Sequence, residues 1–208
     1  MAQNDSLILR SLRADDQAAL EEVVGRVWAY DRFCSPRTAR SLTALGLQSS
    51  LYQSTFGQVA EVEGQVVGVI LGRCGTVHRP VWPVLRGLLR LLSCAEGRRV
   101  CRIARQLGQL SSQMLQSADR RFDAELVLLA VTPELQGRGI GLQLWKAAEA
   151  YFRKAGGTRL YLCTDSQCNY GFYDRHGFSR LDMCQSALPQ ALGGERMEFY
   201  LYEKDLAV

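Results

Sequence analysis

The chain has 208 residues, 47% hydrophobic and 22% charged, with a formal net charge of +4. This is the composition of an ordinary globular protein, and at this length one domain is the default. No stretch approaches the roughly 18 uninterrupted apolar residues of a membrane span. The polar start MAQNDS lacks the charged-then-apolar order of a signal peptide, so a cytoplasmic protein is expected. The seven cysteines show neither a C-x-x-C pair nor a Cys/His cluster, which points to reduced thiols, mostly small core residues, and to no metal. Charge is uneven. Residues 73–121 hold ten arginines against Glu96 and Asp119, and the rest of the chain is net acidic.

In chain order, SLILRSL alternates as a first strand, and RADDQAALEEVVGRVWAY places Leu20, Val23, Val24 and Val27 at helical spacing behind an acidic first turn. SPRTARSLTALGLQSS predicts a second helix with Pro36 near its first position. GQVAEVEGQVVGVILGRC predicts a hairpin, with Gly64 supplying a turn residue at positive φ. From about residue 78 to 121, two apolar-periodic segments rich in arginine interrupt the pattern with no strand signal. AELVLLAV is apolar on both faces, as a central, covered strand must be. A helix then runs through Leu142, Leu144, Trp145, Ala148 and Phe152 and ends at Gly156 and Gly157. RLYLCT predicts a strand, NYGFYDRHGF a short helix stopped by Gly177, and RMEFYLYEKDL a final strand. His78 and His176 are expected at surface or loop positions.

Between the apolar strand and its helix lies QGRGIG, residues 136–141. A strand-loop-helix passage points free backbone N–H groups and the positive end of the helix dipole at whatever lies in front, which makes an anion site. The glycines allow close approach, and Arg138 adds a charged donor. Two phosphate loops fail on the letters. No Lys-Ser or Lys-Thr follows, as a triphosphate loop needs, and the third glycine of a dinucleotide fingerprint falls on Leu142 or Leu144.

What remains is Q-x-x-G-x-G, at Gln136, Gly139 and Gly141, followed by Tyr173 and the pair Gly177-Phe178. This combination resembles the GNAT superfamily of acetyl-CoA-dependent N-acyltransferases, over nearly all the chain except residues 78–121. The resemblance implies an α/β (α+β) fold with a mixed, mostly antiparallel central sheet and helices on both faces. It implies acetyl-CoA as co-substrate, its pyrophosphate held by backbone amides of Gln136, Gly137, Arg138, Gly139, Ile140 and Gly141. It also implies backbone donors at Leu129 and Val131 where the strand splays from its neighbour. Tyr173 would be the acid for the departing thiolate, against the plain reading of a core aromatic.

Glu125 lies eleven positions before Gln136, where the histone-acetylating branch of the family places a base. The plain alternative is a strand-start residue paired with a nearby arginine, and many family members relay the proton through water. The family's usual asparagine seven residues before the tyrosine is replaced by Ser166, so either Ser166 or Asn169 would bond the cofactor arm.

The insertion carries an apolar stripe (Val84, Leu85, Leu88, Leu89, Leu92, then Val100, Ile103, Leu107, Leu110, Met114) that most simply packs on the domain, leaving its arginines solvated. A lid for an acidic or phosphate-bearing substrate, a dimer face, or a helix on a membrane surface are the functional alternatives. No nucleic-acid module accompanies the charge, so nucleic acid is not an expected partner. The expected function is direct N-acetyl transfer to a small-molecule or peptide amine by a monomer or homodimer. An idle CoA-binding or sensor domain and a basic interaction module are the alternatives. Cys163 and Cys168 lack the His/Asp partner spacing of a covalent nucleophile.

Overall fold

The structure, a computed structural model, describes residues 7–77, 80–192 and 194–207. The first six residues and His78 lie outside the described residues. The alternating start forms β1 (Ile8–Ser11), and a single 3-10 turn at Ala14–Asp16 leads into α1 (Gln17–Trp28). Asp16 clamps this corner by accepting from both terminal nitrogens of Arg10, at 2.7 and 2.8 Å, and from the Arg13 N–H. α2 (Pro36–Gln53) opens where Ser35 Oγ accepts from the Thr38 N–H, with proline in the first turn. β2 (Phe56–Val62) and β3 (Gln65–Cys74) form the expected hairpin. Its two-residue turn holds Glu63 at φ 51° and Gly64 at φ 78°, the left-handed pair whose twist suits antiparallel strands.

The arginine-rich segment forms α3 (Trp82–Leu92) and α4 (Ala95–Ser117) between β3 and β4 (Ala124–Val131). α5 (Ile140–Lys154), β5 (Arg159–Asp165), α6 (Gly171–Arg175), β6 (Ser179–Ser186) and β7 (Met197–Asp205) complete the chain. The sheet order is β1-β2-β3-β4-β5-β7-β6, antiparallel throughout except between β4 and β5. This is the mixed, mostly antiparallel sheet anticipated from the sequence. One face buries Leu144, Trp145, Ala148 and Phe152 of α5 together with Leu160, Leu162 and Tyr202 of the strands. The other buries Leu20, Val23 and Val24 of α1 and Leu47 of α2 against Val59, Val69, Leu71, Leu128 and Ala130.

Three expectations need correction. β6 carries no strand signal in the sequence, because SRLDMCQS is an edge strand with mixed polarity and mostly exposed or half-exposed side chains. The cysteines are not core residues: Cys94, Cys163 and Cys168 are exposed and the other four are half-buried. Cys94 sits at a helix cap and Cys168 in a connection, which explains their exposure.

The third correction concerns the apolar stripe, which packs as expected on α4, where Val100, Ile103 and Met114 are buried, but not on α3. There Leu91 is the buried residue, while Leu85, Leu89 and Leu92 are exposed. α3 packs on α2 and α4 in an outer layer, so its far side has nothing to cover it among the described residues.

Candidate active site

β4 and β5 are joined by only two residue pairs, Ala124 with Leu160 and Glu125 with Tyr161. Asp123 locks this closed end, accepting from the Thr158 N–H at 2.9 Å, the Arg159 N–H at 3.0 Å and the Thr158 hydroxyl at 2.6 Å. Beyond it, Val127 drops out of register with β3, a bulge that bends β4 and parts it from β5. The side-chain pattern switches there too. Ala124 and Leu126 face α5, whereas Leu128 and Ala130 face α1.

The splay determines which backbone groups are left over. The Thr132 N–H donates to the Val67 carbonyl at 2.8 Å, and antiparallel pairing alternates, so Ala130 and Leu128 also bond to β3. Leu129 and Val131, the two donors expected from the sequence, therefore turn their N–H groups toward the gap beside β5, where no strand pairs with them. The Gln136 amide donates to the Val131 carbonyl at 2.9 Å, tying the glycine loop to the end of β4.

The loop has the geometry of a cradle. Gly137 (φ 78°) and Gly139 (φ 81°) are both left-handed, and a Cβ at either would meet nothing within 4 Å, so the loop faces open space. Gly139 caps α5, whose first-turn N–H groups have no helical partners. Ile140 buries its side chain in the core and offers the site only its backbone, and Arg138 is exposed. A Cβ on Gly141 would come within 3.8 Å of the Phe172 ring and 3.9 Å of Val131, which brings α6 up against the loop.

Tyr173 sits on α6 among Phe172, Phe178 and Tyr202, with ring centroids 5.4, 5.3 and 5.6 Å away. Burial, then the nearby Cys168 and Tyr202, pushes its phenol well above the ordinary tyrosine range. Cys168 also acts on Tyr30, which reaches in from the turn between α1 and α2. The Tyr30 phenol is pushed up to about 12 by burial, then by Asp165, Cys168 and Cys34. Asp165 ends β5 and is half-buried. Desolvation raises its carboxyl above the usual aspartate value, against the lowering effect of the Gln167 and Cys168 N–H groups. It has no ion-pair partner among the described residues. Tyr30, Asp165 and Cys168 thus gather at the open end of β5, a grouping the sequence concealed because its members lie more than a hundred residues apart in part.

Glu125 stands instead at the closed end. Arg73, its cross-strand partner, donates to the Glu125 carboxylate and, at 3.3 Å, to the Tyr161 hydroxyl. Burial, then Glu125, raises the Tyr161 phenol above its ordinary range. Ser166 is engaged with β7: its Oγ accepts from the Glu198 N–H at 3.2 Å and its own N–H donates to the Glu198 carbonyl. Asn169 is exposed just before α6, its carbonyl accepting from the Phe172 N–H at 3.0 Å. His176 is half-buried at the end of α6, with Nδ1 2.6 Å from the Phe172 carbonyl. Among the described residues no three His, Cys, Asp or Glu side chains gather as a metal site, and no helix is long and apolar enough to cross a membrane.

The profile of the Acetyltransferase (GNAT) family matches residues 21–178, about three quarters of the chain. No curated protein matches it. Among solved structures, the PaiA N-acetyltransferase of Thermoplasma acidophilum in complex with coenzyme A is 18% identical, with a TM-score of 0.58 over 96% of this chain and 99% of that one. The ribosomal-protein-S18-alanine N-acetyltransferase of Escherichia coli is 13% identical, with a TM-score of 0.57 over 98% and 96%. An N-acetyltransferase of Staphylococcus aureus Mu50 is 14% identical, with a TM-score of 0.55 over 97% and 99%. At these identities the structures speak for the fold, and the profile speaks for the family. With its splayed β4, its left-handed glycine loop and α6 beside them, the chain belongs to the GNAT acetyltransferase family.

Proposed function

We propose that the protein transfers an acetyl group from acetyl-CoA to the nitrogen of a small-molecule or peptide amine, directly, with both molecules held in one site. The observation that carries this reading is the unpaired edge of β4 at Leu129 and Val131 running into a glycine loop that faces open space. The backbone N–H groups of Gly137, Gly139, Ile140 and Gly141 take the pyrophosphate, aided by the α5 dipole and Arg138. Gln136 holds the loop in place through Val131. Asn169, exposed beside the cleft, is better placed than Ser166 to bond the cofactor arm, since Ser166 is engaged with β7. Acetyl-CoA supplies the activated acyl group. The Leu129 and Val131 N–H groups steady negative charge on its carbonyl oxygen, and Tyr173, kept protonated by burial, donates to the departing thiolate. Although their own side chains are open to solvent, the protein packed around Cys163 and Cys168 desolvates both thiols and pushes them up to about 11, the reverse of an activated nucleophile, which supports direct transfer.

Two carboxylates compete to receive the ammonium proton. Glu125 has the family spacing but is held by Arg73 at the closed end. Asp165 stands at the open end with a raised carboxyl and no cation beside it, which favours it as the acceptor-side group.

Thermal melting with and without acetyl-CoA, followed by a mass-shift screen of amines and peptides, tests the function. At a hundredfold excess over Kd, binding contributes about 2.7 kcal/mol, equivalent to a rise of roughly 5–10 °C for a chain of this size. Gly139→Val costs on the order of 1–2 kcal/mol of backbone strain and is expected to abolish the shift while leaving a folded protein. A shift that survives in the variant overturns the loop assignment. A shift without acetylation of any amine leaves a CoA-binding domain.

A further inference from the structure

The proposed reaction makes no use of α3. This helix turns Gly87 and Leu91 toward the protein: a Cβ on Gly87 would stand 3.2 Å from Leu45 of α2, and Leu91 is 2% exposed. Its opposite side carries Trp82, Leu85, Leu89 and Leu92 at spacings of three, four and three, one stripe on a helix. Trp82 is 71% and Leu89 61% exposed, and Val81 extends the stripe just before the helix. Arg86 and Arg90, one turn apart, flank the stripe. With Arg40 of α2 and Trp82 they line a shallow groove of about 390 Å³ between the two helices. None of these three arginines has a carboxylate partner among the described residues, and α3 contains no acidic residue.

We propose that α3 docks the protein on an anionic lipid surface, the stripe from Trp82 to Leu92 entering the boundary between headgroups and acyl chains while Arg40, Arg86 and Arg90 take lipid phosphates. The chemistry of the three components selects this occupant. Tryptophan is suited to the headgroup level, with an apolar ring and one polar N–H. Exposed leucines on a helix far too short to span a bilayer suit shallow burial in the plane. The unpaired arginines then meet phosphates of opposite charge, each adding affinity that salt weakens. A second copy of the chain is a poorer occupant. A twofold contact through the stripe would bring the two arginine rows together with no carboxylate on either α3.

The test is sedimentation of the full chain with vesicles of phosphatidylcholine alone and of phosphatidylcholine mixed with phosphatidylserine, at low and high salt. The mixed vesicles are expected to bind about tenfold or more tightly than the neutral ones at low salt, a preference that high salt erases. Trp82→Asp/Leu89→Asp is expected to abolish binding to both. Arg86→Gln/Arg90→Gln is expected to reduce the mixed vesicles to the level of the neutral ones. Each variant should keep the melting temperature and the acetyl-CoA shift of the parent, which separates this proposal from the enzymatic one. The two variants act independently, so misfolding of one leaves the other decisive. The idea fails if the parent does not sediment with the mixed vesicles, or if binding survives in the aspartate variant. It also fails if the parent is a dimer that the aspartate variant splits with no vesicle binding, or if inorganic phosphate raises Tm while vesicles do not bind.

Discussion

Asp165 carries the sharpest expectation at the scale of single residues. Burial raises its folded-state value, so the fold favours the protonated form. Below the ordinary aspartate value, about 3.9, folded and unfolded chains are both protonated and nothing is lost. As pH rises through the raised folded value, the native state must hold a desolvated charge, and stability falls. Asp165→Asn should therefore raise Tm near neutral pH, by roughly 2–4 °C for each kcal/mol relieved, and the gain should vanish in acid. Melting both proteins across pH checks this, and an equal gain at every pH would mean that burial of the charge is not the cause. If Asp165 also receives the proton, the same variant slows turnover on the order of 10²–10⁴-fold, whereas Glu125→Gln does so if Glu125 is the base. The pH-rate profiles of the two variants, read with a verified acceptor, distinguish them. Tyr173→Phe is expected to leave acetyl-CoA affinity intact and to lower kcat on the order of 10²–10⁴-fold. An unchanged kcat would return Tyr173 to a packing role. The sequence singles out Glu125 by its distance from the glycine loop and Tyr173 by its register with Gly177 and Phe178. It does not single out Tyr30 and Asp165, because only the turn between α1 and α2 brings the first to the second.

At the scale of elements, one carboxylate ties the arginine-rich segment to α2. Glu96, in the first turn of α4, accepts from the Ser35 N–H at 2.9 Å, the Ser35 hydroxyl at 2.6 Å and the Thr38 hydroxyl, joining the starts of α2 and α4. The Ser35 hydroxyl, then that of Thr38, then the Ser35 N–H hold its carboxyl below the usual glutamate value. A lowered value means that this contribution is present above the ordinary glutamate range and is lost as pH falls through the folded value. Glu96→Gln should lower Tm at neutral pH, and the gap to the parent should close in acid; a gap that persists in acid would point to lost packing instead. Periodicity located both helices of the arginine-rich segment, and on α4 it located the buried face. On α3 it failed, because an apolar stripe shows which face avoids water without saying whether the protein or something else covers it. β6 was illegible for the opposite reason: an edge strand has one neighbour and keeps polar residues, so neither its length nor its alternation rises above that of a loop.

For the molecule as a whole, the sheet is two half-sheets, β1 to β4 and β5 to β7, sewn together by two residue pairs. The hydrophobic pattern announced the strands of both halves except β6, whereas the gap was expected from the family resemblance alone, because a splay is a matter of backbone pairing that no pattern of side chains records. That gap leaves an odd-even signature for hydrogen exchange. Along one strand, the Leu128 and Ala130 amides are tied to β3 and should exchange slowly in every state, while Leu129 and Val131 between them exchange fast in the free protein. Acetyl-CoA should slow the fast pair and leave the slow pair untouched, so that the bound molecule is read as the missing rungs of a ladder. Uniform exchange along β4 would mean that the halves close on each other in solution. If the alternation appears, this protein offers a direct count of how many backbone bonds its sheet has kept in reserve for a molecule that is not protein.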